Sequence, residues 1–163
     1  MTRLIATFFG VGLLPGAPGT WGSLAALPLA MLLHYLGGFP LLAAATLAIF
    51  FAGWWATAAE TANGGDHDPS EIVIDEVAGQ LVALFPLSAG LWLMDRPPQV
   101  FPWPGWVAAF VLFRFFDIVK PFPVSWADRK PTPLGVMLDD IVAGALAALV
   151  VLVSAAVAHG WFR

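Results

Sequence analysis

The chain has 163 residues, 60% of them hydrophobic and 11% charged, with a mean hydropathy of +0.83. A soluble domain carries roughly 25% charged residues, so the surplus apolar surface implies lipid or a large partner, and eight Trp suit the membrane interface. A net charge of −4 excludes a general nucleic-acid role, and the absence of Cys removes disulfides, thiolate metal sites and cysteine nucleophiles.

From the N-terminus, Leu4–Leu14 is apolar but short, and Pro15-Gly16-Ala17-Pro18-Gly19 follows it. It reads as an interfacial helix or a re-entrant segment. No small-residue cleavage signal closes this run, so no removable signal peptide is expected. Five later segments approach the ~20 apolar residues that a spanning helix needs. The first runs from Thr20, a plausible N-cap, to Leu36, and the second from Pro40 to Ala59. The third runs from Ile74 to Met94. The fourth, from Trp103 to Val119, is short and carries Arg114 and Asp117 near its end. The fifth runs from Leu138 to His159. Gly37-Gly38 and Pro40 mark a tight turn, as do Pro97-Pro98, Pro102 and Pro104. Pro28 and Pro86 fall inside spans, where neighbouring helices can satisfy the freed backbone groups. The expected fold is all-α: a single-domain polytopic membrane bundle of about five spans.

Lys and Arg counting sets the orientation. With a cytoplasmic N-terminus, Arg3, Lys120, Arg129 and Lys130 lie on the cytoplasmic side, and only Arg96 and Arg163 lie opposite. Ten of the eleven acids fall at or near that same side, Asp95 being the exception, so the chain is expected to have one polar working face.

Two acidic pairs stand out there. Asp75-Glu76 opens the third span and Asp139-Asp140 the fifth, each followed one turn later by small residues, Ala78-Gly79 and Ala143-Gly144. Small residues let membrane helices approach closely, which would bring four carboxylates together. Such a set repels itself unless a cation intervenes, and hard oxygen ligands suit Mg²⁺ or Mn²⁺. The plainer alternative is that acids at helix N-termini merely complement the dipole. Two adjacent pairs beside apolar spans favour function, because intramembrane acids are costly.

Arg114, Asp117 and Lys120 recur at i, i+3 and share a helix face. Arg offers a fork matched to phosphate oxygens and Lys a point charge. The alternative is an Arg114–Asp117 structural ion pair with Lys120 at a helix C-terminus. The Gly/Pro-rich turn into the first span adds backbone N–H groups and the hydroxyls of Thr20 and Ser23 as anion donors, although such a turn can equally be a plain loop entering a helix. His67 is a candidate acid or base, against the default of a solvated loop histidine. His34 and His159 lie near span ends on the opposite side. Neither a G-x-S-x-G elbow nor a GxxxxGK[ST] loop is present.

Four motifs together resemble the phosphatidylglycerophosphatase A family of bacterial membrane enzymes. They are Pro15-Gly-Ala-Pro18-Gly-Thr-Trp-Gly-Ser23, His67-Asp-Pro-Ser-Glu-Ile-Val-Ile-Asp75-Glu76, Phe113-Arg-Phe-Phe-Asp-Ile-Val-Lys-Pro-Phe-Pro123 and Gly135-Val-Met-Leu-Asp-Asp-Ile-Val-Ala-Gly144. The resemblance implies Mg²⁺-dependent hydrolysis of phosphatidylglycerol phosphate to phosphatidylglycerol and phosphate, in the bacterial inner membrane and in glycerophospholipid synthesis. It carries Asp75, Glu76, Asp139 and Asp140 over as metal-binding and catalytic acids; the split of roles among them is inferred separately, and Asp140 is the first candidate for an essential carboxylate. Arg114, Asp117 and Lys120 carry over to the phosphate site. Against this stand a metal-dependent lipid alcohol phosphotransferase, a small ion-coupled transporter and a lipid-binding protein without turnover. Oligomeric state is not legible.

Overall fold

The computed structural model describes residues 1–62, 68–100 and 102–158, and every regular element among them is helical. The N-terminal segment forms α1 (Thr2–Ala6) and a 3₁₀ turn (Val11–Leu13). Neither is long enough to cross a bilayer. Instead they brace the segment leading into α3: Val73 N–H donates to the Ala6 carbonyl at 2.9 Å, and Arg3 pairs with Glu71 at 3.3 Å.

Helix α2 (Pro18–Glu60) contains both of the first two expected spans. Its helix begins at Pro18, with Ala17 at the N-cap position and no side-chain cap. Thr20 is therefore inside the first turn and does not cap the helix, a correction to the sequence expectation: Pro at the first helical position supplies the start instead, since its fixed φ suits the helix and it has no N–H to satisfy. The run breaks at Gly37-Gly38, where Gly38 takes φ 63° and Gly37 leaves helical geometry. The two arms fold back on each other. Gly22 near one end lies against Val73 and Gly53 near the other lies against Ile74, so both ends of α2 meet the start of α3.

The expected third span is two helices, α3 (Ile74–Ala83) and α4 (Phe85–Leu93), bent by 41° at Leu84. Pro86 accounts for the break, because it lacks an N–H and its ring crowds the carbonyl four residues back, that of Val82. Helix α5 (Trp103–Val119) has the bounds the sequence suggests but only 17 residues. It ends at Lys120 in the left-handed region, followed by Pro121. A short α6 (Val124–Asp128) leads to α7 (Pro133–Ala158). α7 starts five residues before the expected Leu138, with Pro133 first and Thr132 Oγ1 accepting the Gly135 N–H at 3.1 Å as an N-cap.

Among the described residues, two helices, α2 and α7, are long and apolar enough to cross a membrane, or three if the bent α3–α4 pair counts as one span. The all-helical expectation is met, while two or three candidate spans stand where about five were expected. The core lies where α3 packs against α7 and α2. The α3–α7 crossing is closest at Gly79 and Gly144: a Cβ on Gly144 would overlap the Gly79 backbone, and one on Gly79 would overlap the Asp140 carbonyl and the Phe113 ring. Ala78 and Ala143 beside them are fully buried. The small residues do allow the close approach expected of them.

Candidate active site

The starts of α2, α3 and α7 and the end of α5 converge at one end of the bundle. They enclose a cavity of about 320 Å³ lined by Gly19, Asp68, Ser70, Asp75, Glu76, Arg114, Asp117, Lys120, Asp139 and Asp140, among others. Seven of the polar residues singled out in the sequence therefore share one cavity. Thr20 and Ser23 are not part of its lining. Ser23 is fully buried, donates to the Gly19 carbonyl at 2.8 Å and accepts from Arg114 Nη1 at 3.4 Å, so it supports Arg114 from behind. His67 lies outside the described residues. At the opposite end of the bundle, His34 is buried against Ser88 at 2.8 Å, in keeping with a structural role.

The four acids divide three to one. Asp75, Glu76 and Asp140 each present a carboxylate oxygen within 4.8 Å of the others. Glu76 Oε2 and Asp140 Oδ1 are buried and have no hydrogen-bond partner among the described residues. Burying such atoms unpaired is costly, and a hard divalent cation suits an all-carboxylate donor set of this kind. Asp139 is turned elsewhere: its Oδ2 accepts from Lys120 Nζ at 2.8 Å. The consecutive acids of α7 thus diverge, whereas Asp75 and Glu76, consecutive in the first turn of α3, both reach the cluster. α7 begins at Pro133, so both acids lie beyond its first turn and the dipole explanation does not reach them. Asp75 and Glu76 are in the first turn of α3, where the dipole does contribute.

Arg114 joins the two halves of the site. It pairs with Asp117 at 2.5 Å and lies 4.0 Å from Glu76. The structural ion pair weighed as the plainer reading is present, and both partners still line the cavity. Lys120 bonds Asp128 on α6 as well as Asp139 on α7. Burial alone would lower its pKa, but these two carboxylates outweigh that and hold the ammonium well above the usual lysine range.

Sequence reasoning passed over Gly19, Asp68, Ser70 and Asp128 as site residues. Gly19 sat inside a motif already singled out. A Cβ there would overlap the Glu76 carboxylate and come 3.2 Å from Arg114 Nη1. Glycine at this position lets the start of α2 close over the two side chains.

The family model for phosphatidylglycerophosphatase A matches residues 4–155. Among similar proteins, the phosphatidylglycerophosphatase A of Haemophilus influenzae is 39% identical over 151 residues, covering 91% of this chain and 85% of the relative. That of Escherichia coli K12 is 37% identical over 148 residues, covering 90% and 78% respectively. A Bacteroides thetaiotaomicron protein under the provisional name phosphatidylinositol-3-phosphatase is 38% identical over 156 residues, covering 93% and 91%. No solved structure matches the chain.

Proposed function

From its membership of the phosphatidylglycerophosphatase A family, which the chain shares across nearly its whole length, we propose that this protein hydrolyses phosphatidylglycerol phosphate to phosphatidylglycerol and phosphate with Mg²⁺. The observation that supports the reading is the cavity itself: three carboxylates with two unpartnered oxygens share it with Arg114 and Lys120 at one end of an apolar bundle. We place the enzyme in the bacterial inner membrane, multi-pass, with this end cytoplasmic, as the Lys and Arg distribution favours. The acyl chains lie along the apolar helices and the phosphomonoester enters the cavity.

Asp75, Glu76 and Asp140 would hold Mg²⁺, which when bound neutralises charge on the phosphoryl oxygens. Asp139 is left out of that set because Lys120 engages it. Arg114, oriented by Asp117 and backed by Ser23, binds phosphoryl oxygens through its fork, and Lys120 binds another. Asp140 orients a water in line with the scissile P–O bond and accepts its proton as the water oxygen attacks phosphorus. The P–O bond to the glycerol breaks, and the alcohol oxygen leaves and takes up a proton.

Phosphate release from phosphatidylglycerol phosphate by folded protein in detergent micelles, with Mg²⁺ and with excess EDTA, tests the reading. Turnover that EDTA abolishes is expected. No release with Mg²⁺ would refute the phosphatase assignment, and full release in EDTA would refute the metal.

A further inference from the structure

Building on the phosphatase reading, we propose that Asp128, which does not line the cavity, is a positioning residue that presents Lys120 to the substrate's phosphate dianion. Lys120 ends α5 with φ 48° and ψ 53°. That left-handed conformation is unfavourable for a side-chain-bearing residue, and the following Pro121 favours extended geometry at this position instead. Strain of this kind persists only where the surroundings over-determine it. Beside the backbone bond from Lys120 N–H to the Phe116 carbonyl at 2.9 Å, two carboxylates on two further helices hold this residue, Asp128 on α6 and Asp139 on α7.

The two partners differ in setting. Asp139 belongs to the cavity wall and its side chain is 9% exposed, whereas Asp128 is outside that wall and 40% exposed. α6 gives Asp128 a fixed place, because Val124 and Ala127 are buried beneath it and Lys130 stacks over Trp126 at 3.5 Å. A lysine ammonium has three N–H donors and no rigid fork. With two donors held, the third is left for a phosphate oxygen in the cavity that Lys120 lines. Without Asp128 the ammonium has one partner, collapses onto Asp139 and is withdrawn from an incoming phosphate. Asp128 thus sets phosphate affinity, and the metal-binding trio is untouched by it.

The test uses full-length protein in micelles and the variants Asp128→Asn, Asp128→Glu, Lys120→Met and the Asn–Met double. Asp128→Asn is expected to raise both KM for phosphatidylglycerol phosphate and Ki for inorganic phosphate about tenfold, the scale seen when an outer supporting partner is lost. At saturating substrate kcat and the Mg²⁺ concentration for half-activity should stay at wild-type values, as should the thermal midpoint, and Asp128→Glu should restore most of the affinity. In the Lys120→Met background, Asp128→Asn should add nothing, since groups acting through one another are not additive. Unchanged KM and Ki in Asp128→Asn would overturn the proposal, as would additive effects in the double variant. A lowered thermal midpoint with unchanged constants would also overturn it, by showing a mere tie between helices. Wild-type protein that releases no phosphate refutes the phosphatase reading itself, whereas an active wild type with an indifferent Asp128→Asn refutes only this inference.

Discussion

Replacing Gly19 by Ala separates the chemistry of the site from the stability of the fold. Gly19 is helical and in the first turn of α2, so Ala there gains roughly 0.5–1 kcal/mol of helix propensity. The added methyl, however, overlaps the Glu76 carboxylate and crowds Arg114 at 3.2 Å. The obstacle is the far end of a side chain and not backbone, so Glu76 can yield, and relief of the overlap requires it to retreat by about 1 Å. A misplacement of about 1 Å in a reacting constellation costs on the order of 100-fold in rate, or about 2.7 kcal/mol of transition-state stabilisation. The expected variant therefore unfolds no earlier than wild type in a detergent thermal melt, while kcat/KM for phosphate release falls about 100-fold and the Mg²⁺ requirement rises. Full activity at the wild-type Mg²⁺ concentration would refute the assignment of Glu76 to the metal cluster. An early melt would refute the claim that the side chain, and not the helix packing, absorbs the methyl.

Asp140→Asn should cut kcat by 1000-fold or more at any Mg²⁺ concentration, since a fixed acid–base group alone contributes about 10²–10⁴; near-normal turnover at saturating Mg²⁺ would remove Asp140 from its role. Gly144→Ala drives a methyl into the backbone of Gly79, which cannot rotate away. It should cost several kcal/mol, on the scale of overpacked sites, and lower both the melting midpoint and the activity, and a wild-type melt would show that the α3–α7 crossing is looser than described. Gln80 is fully buried with neither amide atom hydrogen-bonded among the described residues. Gln80→Leu should stabilise by about 1–3 kcal/mol, the cost of a buried unsatisfied group, and a lowered midpoint would show that the amide is satisfied in the membrane-embedded protein.

The helical class, the polar working end and most of the cavity wall are legible in the sequence because they depend on hydropathy and on charges in apolar runs. The helix ends are less so. Hydropathy sets the start of α7 at Leu138, but Thr132-Pro133 is an N-cap followed by a first-turn proline, and that local signal fixes the true start. Pro86 was visible, and its consequence, two helices in place of one span, depends on whether neighbours satisfy the freed carbonyl or the chain bends. Adjacent acids look equivalent in sequence, yet residues about 100° apart on a helix face different neighbours, so Asp140 meets the α3 acids and Asp139 meets Lys120. The Asp128 contact could not be read from spacing at all, because it depends on a turn through Lys120 and α6 that no periodicity encodes.

The charge balance of the cavity ties these pieces together. Among the described residues its lining carries six carboxylates, Asp68, Asp75, Glu76, Asp117, Asp139 and Asp140, against two cations, Arg114 and Lys120. Both cations already have carboxylate partners, Asp117 and Asp139. With these carboxylates ionised, a phosphate dianion brought into the cavity would meet more like charge than opposite charge, in surroundings where burial strengthens every Coulomb interaction. Under the proposed function, phosphate binding would depend on compensation of Asp75, Glu76 and Asp140, the three acids outside those two ion pairs whose oxygens converge. Whatever cation compensates them gains in turn from the phosphate, because coupling between two ligands is reciprocal. An acid-rich cavity would consequently suit an anionic substrate if metal and phosphate bound together, with the two ion pairs orienting Arg114 and Lys120 beforehand.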